Sequence, residues 1–464
     1  MVAIYFNVKF TIYRFKYKKI WYHNYIRCFE NYLRKEKIKL LVLKYMKMIN
    51  SKNNKLKIYS LIFLVFTSIT FISCNDSQKN SAKPMYKPPT GYSEEDEKFD
   101  PKVEPVLSKE EEEELYINKL IDSMTLEEKV SQLFMLDFRK DLEGNCILEV
   151  NDTIREFMKS YKIGGIILFS ENIDNPDQTK QLINEFNSMS SLPLIVGVDE
   201  EGRLVNRVNR KSSMNLTPLP NAIDIGKTND AKKAYKTGNY IGSYLNDLGF
   251  NLDFAPVADV NTNPNNPVIG IRSFGSEPEL VSRMVLEFSK GLQDANVVPV
   301  IKHFPGHGDT GLDSHNGSVQ VMKTWEELKS IEWVPFKKAI DNGIEVIMIG
   351  HIETPLISDT GLPSSLNSDI IQKALREELG FNGVVITDAL EMGAIANYYN
   401  SSEAAIMAID AGVDILLMPS NFIDAYDGIL SAIKEGKISE SRINESLYRI
   451  LKLKVKNSMI DVNS

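Results

Sequence analysis

Apolar residues along this chain gather into eight short runs, 132–136, 163–169, 194–198, 252–255, 297–301, 346–349, 384–386 and 413–418. Longer stretches with the apolar spacing of amphipathic helices separate them. Runs so uniformly apolar predict strands covered on both faces, the condition of parallel strands joined by crossover helices. Two sequences of capping-box form, Ser108 with Glu111 and Thr125 with Glu128, predict helix starts ahead of the first run. A last helix is predicted over about 440–456. Eight strand–helix repeats predict an α/β fold, a single (β/α)8 TIM-type barrel, with a doubly wound open sheet as the competitor. Polar residues favour the barrel: Asp199, His303, His351 and Asp388 each stand just past an apolar run, and barrels build their active sites at the C-terminal ends of the strands.

Composition sets the limits of this picture. With 464 residues, 43% hydrophobic and 25% charged, the chain holds enough apolar material for one large core, and its length does not require a second catalytic domain. The net charge of −8 averages a basic first stretch with a more acidic remainder. Those basic residues fall where a leader would sit rather than on a folded surface, so no nucleic-acid partner is expected.

Cys28, Cys74 and Cys146 are too few for a disulfide framework, and their spacing matches no zinc pattern. Lys52, Lys55 and Lys57 lead into an apolar run over 58–72 that ends in Ser73-Cys74, after which the chain turns polar at Asn75. That is the layout of a secretory signal, and the run is short for a membrane span of about 20 residues. Residues 48–74 resemble a bacterial lipoprotein signal, with Met48 as start and Phe71-Ile72-Ser73-Cys74 as an imperfect lipobox. The resemblance implies cleavage before Cys74, a lipid anchor there that joins the protein to a membrane, and a place in the cell envelope outside the cytoplasm. A short hydrophobic anchor that happens to contain a cysteine is the competing reading. Residues 1–47, aromatic and basic, read as an over-extended reading frame or else as a basic interfacial arm. Residues 75–107, rich in Ser, Lys, Pro, Glu and Asp, read as a disordered linker, which leaves 108–464 for the barrel.

The densest chemistry lies in Lys302-His303-Phe304-Pro305-Gly306-His307-Gly308-Asp309-Thr310, followed by Asp313-Ser314-His315, which hold three of the chain's five histidines. The glycines and proline predict a shaped loop. Taken alone, His303, His307, Asp309, Asp313 and His315 also allow a metal cluster, although Lys302 beside them and a spacing unlike known ligand motifs speak against it. Loop-stabilising histidines are the plainer alternative, and the better one for His307.

These residues resemble the signature of glycoside hydrolase family three, in its β-N-acetylhexosaminidase branch. The blocks Asp253-Phe254-Ala255-Pro256-Val257 with Asp259-Val260, Ile269-Gly270-Ile271-Arg272-Ser273-Phe274-Gly275, and Ile386-Thr387-Asp388-Ala389-Leu390-Glu391-Met392 are similar to the same family in the same order. The resemblance implies a retaining exo-β-N-acetylhexosaminidase that releases N-acetylglucosamine from peptidoglycan fragments or chito-oligosaccharides. Asp388 would be the nucleophile and His315 the general acid/base, with Asp313 bonded to the other ring nitrogen. Lys302 and His303 would bind sugar hydroxyls, Asp199 would accept from the ring's far side, and Arg207 and Arg272 would supply donor forks. His351 would line the pocket or cap the barrel. No metal or organic cofactor is implied.

One block departs from the family pattern: Asp-Gln-Glu-Gly-Gly-Arg-Val becomes Asp199-Glu200-Glu201-Gly202-Arg203-Leu204-Val205. If the second glycine needs a positive φ, Arg203 is expected to alter that turn. The alternatives carried by the sequence are a β-glucosidase-like hydrolase, a phosphorylase of the same fold, and a non-catalytic glycan-binding lipoprotein.

Overall fold

The computed structural model describes residues 107–141, 143–311, 313 and 317–462. The stretch 1–47, the signal segment 48–74 with Cys74, the linker up to residue 106, and His315 lie outside the described residues. Those described belong to the second of two compact units, Val103–Ser464.

The first described helix, Lys109–Ser123, is capped by Ser108, whose hydroxyl accepts from the Glu111 amide while Glu111 reaches back. Thr125 and Glu128 repeat the device for Leu126–Ser131. Eight strands then form one parallel sheet: β1 Phe134–Asp137, β2 Gly165–Ile167, β3 Ile195–Val198, β4 Leu252–Asp253, β5 Val298–Phe304, β7 Val346–Ile349, β9 Val384–Thr387 and β10 Leu416–Leu417. The two short strands β6 Val319–Gln320 and β8 Ile352–Glu353 stand apart from it. The large sheet runs β10-β1-β2-β3-β4-β5-β7-β9, with no strand out of sequence. Chain order kept throughout, with β10 returning to pair with β1 and Ile386 bridging to Ile415, makes a nearly closed barrel and excludes the doubly wound sheet.

The seam between β9 and β10 is closed by a side chain as well as by backbone. Fully buried Asp414 accepts the Val385 amide on Oδ2 (2.9 Å). Arg376 (2.7 Å) and Arg449 (2.9 Å) donate to the same carboxylate, and Arg442 lies 3.8 Å away. These arginines tie the seam to the outer helices Asp369–Glu378 and Glu440–Lys456.

Two features position the site. Behind β5, Phe304 packs on Trp333 and Phe336 of the helix Trp333–Asp341, with ring centroids 5.8 and 5.2 Å apart, so the end of the strand rests on a rigid aromatic base. Above it, β6 and β8 pair in parallel and join the segment after β5 to the segment after β7. Among the described residues no helix is long and apolar enough to cross a membrane.

Candidate active site

Most of the sequence-predicted side chains meet at the C-terminal ends of β3, β4, β5 and β9. Lys302, buried within β5, donates to Asp199 Oδ1 and lies equally close to Glu201 Oε1, both at 2.7 Å. Arg272 closes its fork on the same Glu201 at 2.7 and 2.8 Å, and Arg207 comes within 3.6 Å of Asp199. Cations and carboxylates therefore alternate from Arg207 through Asp199, Lys302 and Glu201 to Arg272. Burial works against the charges of Glu201, Lys302 and Arg272, and their neighbours overrule it. Despite its burial, Glu201 is held well below the usual carboxylate range by Arg272 and Lys302. Lys302 is raised by Asp199 and Glu201 in spite of burial, and stays an ammonium. Arg272 was expected as a donor to sugar; its fork is committed to Glu201 and a further N–H reaches the Val268 carbonyl at 3.3 Å, so much of its capacity is spent within the protein.

His303, joined to Lys302 by a cis peptide bond, is also buried, and its Nδ1 lies 2.8 Å from Asp259 Oδ2. Asp259 accepts the His307 amide as well (2.6 Å). His307 bonds Thr310 through Nδ1 (2.6 Å), and burial pulls it down to about 4, so it is neutral near pH 7. That fits the loop-stabilising reading.

Asp388 follows β9. Its amide donates to the Ile349 carbonyl (2.9 Å), and its Oδ1 accepts the Ala389 amide (2.8 Å). Burial pushes the carboxyl up, but His303, His351, the Ala389 amide and Lys302 together hold it below its ordinary value. His351 caps rather than lines: it is buried, with Nδ1 2.7 Å from the Ser365 hydroxyl and Nε2 2.9 Å from the Ala389 carbonyl. Asp313 is half-buried in the loop after β5. Its expected partner His315 lies outside the described residues.

The altered turn after β3 differs from expectation. Arg203 is exposed and does not have a positive φ. The retained Gly202 takes that conformation (φ 151°), and a Cβ there would sit 2.7 Å from the Pro220 carbonyl. Arg203 thus costs the turn nothing, and its amide donates to Pro220 O (3.0 Å).

Sequence reasoning missed Glu200, Glu201 and Asp259 as site builders. Glu200 is fully buried and gathers the amides of Arg207 (2.6 Å), Val208 (3.0 Å) and Asn209 (2.8 Å) with the Tyr244 hydroxyl (2.7 Å), which fixes the loop that carries Arg207. The signal that could have found them was acidic residues set between apolar or glycine neighbours, as in Ala258-Asp259-Val260. Arg139 was missed too. It lies over the Phe169 ring at 4.6 Å and pairs with Glu391 at 2.6 Å, linking the rim after β1 to the loop after Asp388.

At the mouth of the barrel, the strand-end carboxylate of Asp388 thus stands among interlocked cations and carboxylates. Residues 125–453 match the family described as Glycosyl hydrolase family 3 N terminal domain, and the chain belongs to that family. It is 35% identical over 370 residues to Beta-hexosaminidase A of Pseudoalteromonas piscicida, covering 72% of this chain and 61% of that protein, so it spans about three fifths of that relative's length. With Beta-hexosaminidase LpqI of Mycobacterium tuberculosis the identity is 31%, over 71% of this chain and 83% of the relative. A solved glycoside hydrolase family 3 beta-N-acetylglucosaminidase from Paenibacillus sp. str. FPU-7 superposes with a TM-score of 0.69 at 40% identity, covering 73% of this chain and 63% of that one.

Proposed function

We propose that the chain is a retaining exo-β-N-acetylhexosaminidase that releases terminal β-linked N-acetylglucosamine from peptidoglycan fragments or chito-oligosaccharides, anchored in the cell envelope through Cys74. The observation that carries this reading is Asp388, a partly buried carboxylate kept ionised at the end of β9 beside the Lys302-His303 strand end. The names of the relatives supply the N-acetylhexosamine preference.

In the first step an Asp388 oxygen forms a bond to the anomeric carbon, the glycosidic C–O bond breaks, and His315 gives its proton to the departing oxygen. Asp388 is then an ester and His315 is neutral. In the second step His315 takes a proton from water, the water oxygen bonds to the anomeric carbon, and the ester C–O bond breaks, which regenerates both groups with net retention. Asp313, two residues from His315, orients the imidazole. Lys302, Asp199 and Arg207, paired with one another at the strand ends, supply donors and acceptors for hydroxyls.

The test is hydrolysis of aryl β-N-acetylglucosaminide against aryl β-glucoside by the purified full chain, with and without phosphate. The N-acetyl substrate should turn over without phosphate, and Asp388→Asn should lower kcat by at least about a thousand-fold. An untouched N-acetyl substrate, or an Asn variant as fast as the parent, removes the proposal. Turnover only in phosphate indicates a phosphorylase.

A further inference from the structure

We infer that Asp259 is a positioning residue for the reaction: from behind His303 it fixes that ring's hydrogen on Nδ1, and so makes Nε2 the atom available to substrate and nucleophile. The inference rests on the reading of Asp388 as nucleophile.

Asp259 is fully buried, and the one ion pair it makes among the described residues is with His303. Every group on its carboxylate is an N–H donor or the imidazole itself. Oδ1 takes the His307 amide at 2.6 Å, the His303 amide lies 3.3 Å from both oxygens, and Oδ2 faces His303 Nδ1 at 2.8 Å. A carboxylate only accepts, and these donors hold Asp259 below its ordinary value against complete burial. The ring nitrogen opposite it therefore carries the hydrogen. Nε2 makes no hydrogen bond to any described residue. The ring has little freedom to leave this arrangement. A Cβ placed on Gly350, just past β7, would already lie 3.1 Å from His303 Cβ, and the His307 ring stands edge-on at 5.9 Å. Asp259 is fixed in turn through its carbonyl, which accepts the Ser273 hydroxyl at 2.6 Å beside Arg272.

The groups that bear on the nucleophile come from several elements. Lys302, His303 and His307 belong to β5 and its loop, His351 follows β7, and Asp388 itself follows β9. Lys302 is already shared by Asp199 and Glu201, His351 is committed to Ser365 and Ala389, and His307 is neutral. Of the groups favouring ionised Asp388, His303 acts most strongly. Asp259, which touches neither substrate nor Asp388, governs that histidine. The pairing also explains why so deep a carboxylate is tolerated, since it is satisfied by the histidine it orients.

Asp259→Asn separates orientation from mere packing. The carboxamide oxygen can keep the His307 amide, but its NH2 then faces His303 Nδ1 and requires an acceptor there, which drives the ring hydrogen to Nε2. Nitrogen-15 spectra of the labelled full chain, with the His303 signal assigned by His303→Gln, read this directly. The parent should keep Nδ1 protonated from about pH 5 to 8, and Asp259→Asn should show an unprotonated Nδ1. In parallel, the acid limb of kcat/KM on aryl β-N-acetylglucosaminide should move up by roughly one pH unit in Asp259→Asn and in His303→Gln, and no further in the double variant. An unprotonated Nδ1 in the parent overturns the inference. So does an Asp259→Asn enzyme with the parental acid limb and only a lower Tm. Should Asp259→Asn not fold, the parent spectrum and the His303→Gln profile decide alone. A parent inactive on the substrate discards the nucleophile reading, while the nitrogen spectra still test Asp259.

Discussion

Carboxyl groups near the mouth of this barrel are driven in opposite directions by their neighbours. Glu201 has Arg272 and Lys302 against it and stays ionised when buried. Asp253 is as deeply buried but faces Glu200: it accepts the Glu200 amide on Oδ1 (2.9 Å), while Oδ2 finds no hydrogen-bond partner among the described residues. Burial, and then the Glu200 charge, push Asp253 well above the usual aspartate range. The folded protein thus keeps a proton that the unfolded chain loses near pH 4. From there up to the raised value the native state binds more protons than the unfolded state, so this contribution to stability is complete below about pH 4 and is lost as pH rises through the raised value. Glu200, raised by its own burial, acts with the same sign. Above about pH 5 the depressed Glu201, Asp259 and Asp388 are ionised in both states and add no slope. Thermal melts from about pH 5 to 9 should therefore carry a falling component, about 1.4 kcal/mol for each pH unit over which Asp253 holds one proton more than in the unfolded chain, set against the rise from buried His307 and Lys454, both lowered and charged sooner when unfolded. Asp253→Asn, which keeps an acceptor for the Glu200 amide, should flatten that fall. An unchanged slope in the Asn variant would show that Asp253 does not hold the proton.

At the scale of elements, the strand pattern was readable because parallel strands covered on both faces must be apolar along their length. Each of the eight runs overlaps a barrel strand. The ends were less readable, for reasons that differ by strand. The run 252–255 yields only Leu252–Asp253, where Pro256 soon removes a donor from the ladder. The run 297–301 continues to Phe304, because Lys302 and His303 are polar in sequence yet buried in the strand, satisfied by Asp199, Glu201 and Asp259 from distant loops. The strand-end places of Asp199 and Asp388 could be read one residue at a time. The pairings of Glu201 and Asp259 could not, because they depend on contacts some 40 to 100 residues apart. The loop after β5 offers a direct check on such long-range fit. Gly308 lies so close to the segment after β4 that a Cβ would come 1.9 Å from the Val260 carbonyl. Gly308→Ala should displace His307 and Asp309 and cut kcat/KM by at least about ten-fold in a chain that still folds. Parental kinetics would mean that the loop yields without moving the site.

The whole molecule is governed by closure. A complete barrel has no exposed strand edge, and its nearest equivalent is the place where last and first meet. Here that place lies beside β9, the strand that Asp388 follows, and Asp414 holds it with Arg376, Arg442 and Arg449 gathered round. Asp414→Asn would leave three guanidinium groups around a neutral amide, at a cost of about 3–5 kcal/mol. The change should appear first as faster amide exchange over Val384–Thr387 than over the strands opposite the seam, β3 and β4. Equal acceleration on both sides would show that the seam is no weaker than the rest. Viewed as a mechanical object, the barrel is a hoop fastened by a carboxylate clasp, and the clasp grips the hoop at the strand that leads into Asp388, the proposed nucleophile. Strain or heat that loosens the clasp would blunt the chemistry while most of the hoop is still round, so loss of turnover would be an early sign of opening rather than its last consequence.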